Sequence, residues 1–275
     1  MDRESKWLQP YTHDLFGAAL YRIVAEATGR ERMPPRVDLK VQELTTANRR
    51  KDEILAMVSH ELRSPLAAIH HAVRLLANPA GETSARQKMQ ALIERQVHRM
   101  TQLVDDLLDV SRISSGRLQL QRERTDLRAV VGHAIETLES DLTARQHRLA
   151  TELPEAPVWL QADPFRLEQV FVNLLANASR YTDAGGQLSL WMHTRDGEAI
   201  VRVRDSGIGI AREALPHVFD LFKQAHEADS RSKEGLGVGL AVVRHLVELH
   251  GGRVTVASAG CGQGTEFTVR LPRDE

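Results

Sequence analysis

Asn173 and Asn177 stand four residues apart in a helical run, a spacing that puts both carboxamides on one helix face. Neutral amide oxygens can ligate Mg²⁺, and the amide nitrogens can approach phosphate without repulsion. Arg180, three residues further on, adds positive charge. Asp205-Ser206-Gly207-Ile208-Gly209-Ile210 follows a strand-like run directly. A carboxylate at a strand end can accept from an exocyclic amine such as adenine's, and Gly207 and Gly209 let the backbone approach a flat base. Gly235-Leu236-Gly237-Val238-Gly239-Leu240 opens another helical run. Closely spaced glycines there present backbone N–H groups and a positive dipole end to phosphates. Val218-Phe219-Asp220-Leu221-Phe222 puts two aromatics in a polar loop, able to pin a mobile segment or to face a second domain. Each cluster alone is weak, since a DxGxG can be a plain turn and paired asparagines a solvated helix face. Together, in this order, they converge on one nucleotide.

A different chemistry is written around His60, in Ser59-His60-Glu61-Leu62-Arg63-Ser64-Pro65-Leu66. With Val58 at d and Leu62 at the next a of a heptad, His60 falls at f and points to solvent. A neutral imidazole on a rigid helix is a usable phosphoryl acceptor near neutral pH, its reference pKa being about 6.5. Glu61 can stabilise the second ring N–H as the ring gains charge. Pro65 removes one helical hydrogen bond and crowds the carbonyl of Glu61, which predicts a bend just after the histidine. One surface histidine among twelve would by itself mean little.

Three regions must position these groups. Residues 1–36 hold a short amphipathic stripe, Leu15, Ala19, Ile23 and Ala27, closed off by Pro34-Pro35. Residues 37–115 are helical by period: Val37, Val41, Leu44, Asn48, Lys51, Leu55, Val58 and Leu62 alternate spacings of four and three. Apolar side chains continue through Ile69, Val73 and Leu76. After Asn78-Pro79-Ala80-Gly81 the pattern resumes with Ile93, Val97, Met100, Val104 and Leu107. Two such helices make a hairpin whose core is too narrow to stand alone, so a homodimer with a four-helix bundle is expected. Residues 116–275 alternate strand-like runs (188–192, 199–204, 254–257, 266–271) with helical ones (126–144, 164–181, 240–249). That order predicts an α/β sandwich, one sheet under a helical layer.

Composition bounds the rest. The chain is 42% hydrophobic and 27% charged, with 36 Lys+Arg against 37 Asp+Glu, so no overall field favours nucleic acid. The single Cys261 fits a reducing compartment, and no apolar run approaches the roughly 20 residues that span a bilayer. A cytoplasmic protein is expected, with any signal arriving inside the cell or through an upstream sensor protein.

The octapeptide around His60 closely resembles the H-box of histidine protein kinases, in which the histidine is the phosphoacceptor. The other clusters resemble that family's N-box, two glycine boxes and F-box, in family order, over residues from about 50 to 272. The resemblance implies a multidomain protein: a helical dimerisation and phosphotransfer domain followed by a Bergerat-type ATP-binding sandwich, the fold of gyrase, MutL and the heat-shock-90 chaperones. It implies ATP and Mg²⁺ as cofactors, with Asn177 the metal ligand and Asn173 supporting. Arg180 and Tyr181 would contact the nucleotide, Asp205 would read adenine, and Gly235, Gly237, Gly239 and Leu240 would close over the phosphates. Two positions depart from the family pattern. Ser64 stands where Thr or Asn usually assists phosphatase activity, and Leu236 where Ser or Thr is usual.

Two other readings compete. ATP-hydrolysing relatives carry a glutamate four residues before the metal-binding asparagine, but Asn173 holds that place and cannot take a proton, which favours transfer to His60. A non-catalytic dimeric adaptor would show erosion at His60, Asn177, Asp205 or the glycines, and none is visible. Phosphohistidine being an intermediate, an accepting aspartate is required. With four residues after Leu271, the expectation is a response regulator receiver domain on a separate chain.

Overall fold

The computed structural model describes residues 35–76, 83–115, 118–223 and 237–274. Outside the described residues lie the expected N-terminal helix, the turn at Asn78-Pro79-Ala80-Gly81, Gly235 and Leu236. The His60 side chain and most side chains before it are outside them too. Internal contacts divide the chain into two compact units, Met1–His60 and Glu61–Glu275.

The described part of the first unit is helical, the beginning of α1 (Pro35–Leu76). Pro65 lies inside α1, which continues to Leu76 without interruption. A helix of this length has enough remaining hydrogen bonds to run through one missing donor, and the Pro65 side chain is buried. In the second unit α2 (Thr83–Ser114) follows. Leu66, Val73, Val97, Val104 and Leu108 on these helices are 45–57% exposed in the single chain.

The rest of the second unit is a two-layer α/β sandwich. Its sheet has the order β2-β4-β5-β7-β6. The strands are β2 (Arg148–Glu152), β4 (Gln187–Arg195), β5 (Glu198–Asp205), β6 (Arg253–Ala257) and β7 (Thr265–Pro272). β2 runs parallel to β4 and every other pairing is antiparallel. A separate two-stranded sheet pairs β1 (Glu123–Asp126) with β3 (Trp159–Ala162). The helical layer comprises α3 (Leu127–Ala144), α4 (Pro164–Tyr181) and α5 (Gly239–Leu249). The helical runs 126–144, 164–181 and 240–249 and all four strand-like runs are present within a few residues. The short strands β1, β2 and β3 carry no run to reveal them; β2 is almost wholly exposed.

Side-chain caps set where the helices start. Asp126 Oδ1 accepts the N–H of Arg128 at 3.1 Å and opens α3. Asp163 Oδ1 accepts the N–H of Arg166 at 3.2 Å, with Pro164 in the first turn, and opens α4. Leu167, Val170, Phe171, Leu174, Leu175 and Ala178 then recur at helical spacing and are buried against the sheet. Their partners are the inward files of the strands: Leu188, Leu190 and Met192 of β4, Val201 and Val203 of β5, Phe267 and Val269 of β7.

Candidate functional site

Burying one face of α4 leaves another free to line a cavity. Arg166, Gln169, Asn173 and Asn177, spaced three, four and four, all border a cavity of about 1050 Å³. Arg180 and Tyr181 border it from the last turn. Asn173 Nδ2 is buried and has no hydrogen-bond partner. An orphaned buried donor costs about 1–3 kcal/mol, an expense that a ligand acceptor in the cavity would remove. Gly239, the first residue of α5, lies opposite: a Cβ there would stand 3.8 Å from the Asn173 carboxamide. The first turn of α5, with its free N–H groups, thus faces the asparagine pair across the cavity.

Asp205 ends the inward file of β5 and is buried on the helix side of the sheet. Its Oδ1 accepts the N–H of Gly207 at 2.8 Å and of Thr265 at 3.2 Å. Oδ2 takes part in neither bond, and the residue borders the cavity. Burial pushes the carboxyl above its usual range, opposed by the two backbone N–H groups and by the Arg204 charge. A carboxylate so held has one oxygen fixed by the backbone and one left for a donor such as an adenine amine.

The glycines divide by role. A Cβ at Gly207 would fall 2.2 Å from the Tyr181 carbonyl, so this glycine lets the loop after β5 lie on the end of α4 and does not itself border the cavity. Gly209, at φ +67°, borders it and has no room for a Cβ against the Gly260 carbonyl. Gly237, at φ +65°, is packed against the Lys223 carbonyl and also borders it, as do Gly239 and Leu240. Of the two aromatics, Phe219 meets Phe267 of β7 edge-on at 6.2 Å, which fixes the loop to the core. Phe222 adopts φ +64° and donates its N–H to the Gly237 carbonyl at 3.1 Å. Neither ring borders the cavity; Val218 and Lys223 do. The donor set of two carboxamides, one half-free carboxylate, a guanidinium and a helix N-terminus fits a nucleotide with its metal.

Residues 162–275 match the family model of the histidine kinase-, DNA gyrase B- and HSP90-like ATPases, and residues 50–116 match that of the His Kinase A (phospho-acceptor) domain. The chain belongs to the histidine protein kinases. This histidine kinase is 34% identical over 270 residues to the circadian input-output histidine kinase CikA of Synechococcus elongatus, covering 94% of the chain and 35% of CikA. It spans less than half the length of the curated relatives it matches first. Among solved structures, full-length ShkA in complex with AMPPNP is 30% identical with a TM-score of 0.58, covering 80% of this chain and 46% of that one. The Acinetobacter baumannii histidine kinase AdeS is 26% identical with a TM-score of 0.57, covering 78% and 98% respectively. The kinase's ATP-binding sandwich is therefore the fold that the motifs imply.

Sequence reading passed over one cluster. Asp109 of α2 is buried and accepts two hydrogen bonds from Arg166 Nη1 (2.9 and 3.0 Å) and one from Gln169 Nε2 (2.6 Å). Only the spacing of Arg166, Gln169, Asn173 and Asn177 along one stripe hinted at it.

Proposed function

We propose that this chain is an ATP-dependent protein-histidine kinase of a two-component system, which phosphorylates His60 and passes the phosphoryl group to an aspartate of a separate response regulator. One observation carries the reading: the orphaned Asn173 amide and the Asp205 carboxyl, whose bonds use only Oδ1, border the same cavity in a chain with a phospho-acceptor domain match that contains His60.

In this reading Asp205 and the Gly209 loop take the adenine, while Arg180 and the first turn of α5 (Gly237, Gly239, Leu240) take the phosphates. Asn177, supported by Asn173, would hold Mg²⁺, which neutralises phosphate charge. A lone pair of the neutral His60 ring attacks the γ-phosphorus. The N–P bond forms as the bond to the β–γ bridging oxygen breaks, and ADP leaves. Glu61 stabilises the remaining ring N–H. Ser64 is assigned to hydrolysis of the regulator's aspartyl phosphate.

The exposed apolar residues of α1 and α2 recur at heptad spacing, Leu66 with Val73 and Val97 with Val104. This supports a homodimer built on residues 37–115, with 116–275 as the catalytic domain. Among the described residues no helix is long and apolar enough to cross a membrane. A cytoplasmic location is part of the proposal and rests on the lone cysteine.

The test is His60→Gln in the full chain with γ-labelled ATP. The variant should bind ATP as the parent does but incorporate no acid-labile, base-stable phosphate. Equal labelling of the two chains would remove His60 as the acceptor.

A further inference from the structure

Lys223 stands at the phosphate end of the proposed site. The N–H of Phe222 donates to the Gly237 carbonyl at 3.1 Å, and a Cβ at Gly237 would meet the Lys223 carbonyl at 2.8 Å. The chain at Lys223 is thus seated against the residues that lead into the first turn of α5. Lys223 and that turn border the same cavity, and among the described residues no other lysine does. Its ammonium, however, is engaged by two groups that do not border the cavity, Asp220 and His217. Nζ lies 3.0 Å from Asp220 Oδ2 and 3.1 Å from His217 Nδ1. His217 Nδ1 in turn lies 2.9 Å from the same carboxylate oxygen. The Lys223 ammonium, and after it His217, keep the Asp220 carboxyl below its ordinary range, so Asp220 carries its full charge near neutral pH.

We propose that Lys223 is a phosphate-binding residue for which Asp220 competes, and that this competition sets how tightly the kinase binds its nucleotide. The proposal rests on the nucleotide reading of the cavity. One ammonium cannot serve Asp220 and a triphosphate at full strength together. The flexible four-carbon stem of a lysine lets it change partners without movement of the backbone. Relative strengths decide the direction. The Lys223–Asp220 pair is exposed, its side chains 53% and 40% open to solvent, and such a pair contributes little. A triphosphate carries several negative charges, and its charge-assisted hydrogen bonds are roughly twice as strong as neutral ones. Nucleotide therefore draws Lys223 off Asp220, with an affinity lowered by the strength of the pair that breaks. Asp220 is not stranded by the exchange, because His217 remains beside the same oxygen.

The experiment is calorimetric titration of the full chain with AMPPNP and Mg²⁺, an ATP analogue that does not transfer its terminal phosphoryl group. Lys223→Ala should weaken binding about tenfold or more at low salt, the loss expected of a hydrogen bond to a charged group. High salt should shrink that loss, and Lys223→Arg should restore most of the affinity. Asp220→Asn should act in the opposite sense, tightening binding about twofold to fivefold by releasing the ammonium. In Asp220→Asn combined with Lys223→Ala that gain should vanish, because no ammonium remains to release. A merely structural role for these side chains would weaken binding in both single variants, with no rescue by arginine. Binding by Lys223→Ala as tight as the parent's would overturn the phosphate contact. Equal or weaker binding by Asp220→Asn would overturn the competition. A parent chain that binds no nucleotide would overturn the nucleotide reading itself, whereas a parent that binds beside unmoved variants would overturn this proposal alone.

Discussion

The backbone N–H of Asp163, the capping residue of α4, donates to His250 Nε2 at 3.0 Å, while His250 Nδ1 lies 2.7 Å from the Leu246 carbonyl. One ring nitrogen accepts and the other donates, so the buried imidazole is fixed as the neutral Nδ1–H tautomer. It ties the end of α5 to the start of α4, the two helices that face each other across the cavity. Burial holds His250 below its ordinary pKa of 6.5, with the Leu246 carbonyl opposing.

A pH dependence follows from that tie. The folded pKa is depressed, so the unfolded state binds more protons below about pH 6.5. The stabilisation is fully present above that pH and is lost as pH falls toward the folded value. Thermal melts of the full chain should show a slope in this window that His250→Leu flattens. At pH 7.5 the same variant should cost about 1–3 kcal/mol by leaving the Asp163 N–H unpaired.

Asp205→Asn separates binding from stability. The asparagine Oδ1 can still accept from Gly207 and Thr265, but the acceptor that the proposed reading offers to adenine is lost. ATP affinity measured by calorimetry should fall about tenfold or more, as for a buried polar mismatch. The melting temperature should stay level or rise at neutral pH. Burial raises the folded pKa of Asp205, so its contribution to stability is full below the unfolded value and is lost as pH rises through the folded one.

In the proposed site, Asn177→Asp would put a carboxylate beside the phosphates. MgATP binding should weaken and phosphorylation of His60 should drop by about tenfold or more, with the fold unchanged by circular dichroism. Activity within about twofold of the parent would remove Asn177 from contact with metal and phosphates.

Val97 and Val104 are 50% and 45% exposed in the single chain and lie one heptad apart. Burying each such side chain is worth about 1.5–3 kcal/mol, and a dimer brings every one in twice. Val97→Glu with Val104→Glu should convert a dimer into a monomer in sedimentation at micromolar concentration. Asp205→Asn should remain a dimer.

The helices of the sandwich, its four longer strand runs and most residues that border the candidate site are legible in the sequence, because those depend on period and local spacing. The buried stripe of α4 predicts the helix, and the same 3.6-residue period sets Asn173 and Asn177 on its other side. Alternation in β5 sends Val201, Val203 and Asp205 to one face, so a carboxylate at the strand's end is placed by register alone. Tertiary structure decided what local spacing does not encode. Gly207 and Gly237 look alike in sequence, yet one supports the Tyr181 carbonyl from outside the cavity and the other borders it. Phe219 is turned onto Phe267, a strand 48 positions away. The bond from Asp163 to His250 spans 87 positions, and the clasp of Asp109 on Arg166 spans 57. Such partners come together only when packing of the apolar faces brings distant helices into contact, and a polar residue carries no periodic mark of the partner it will meet.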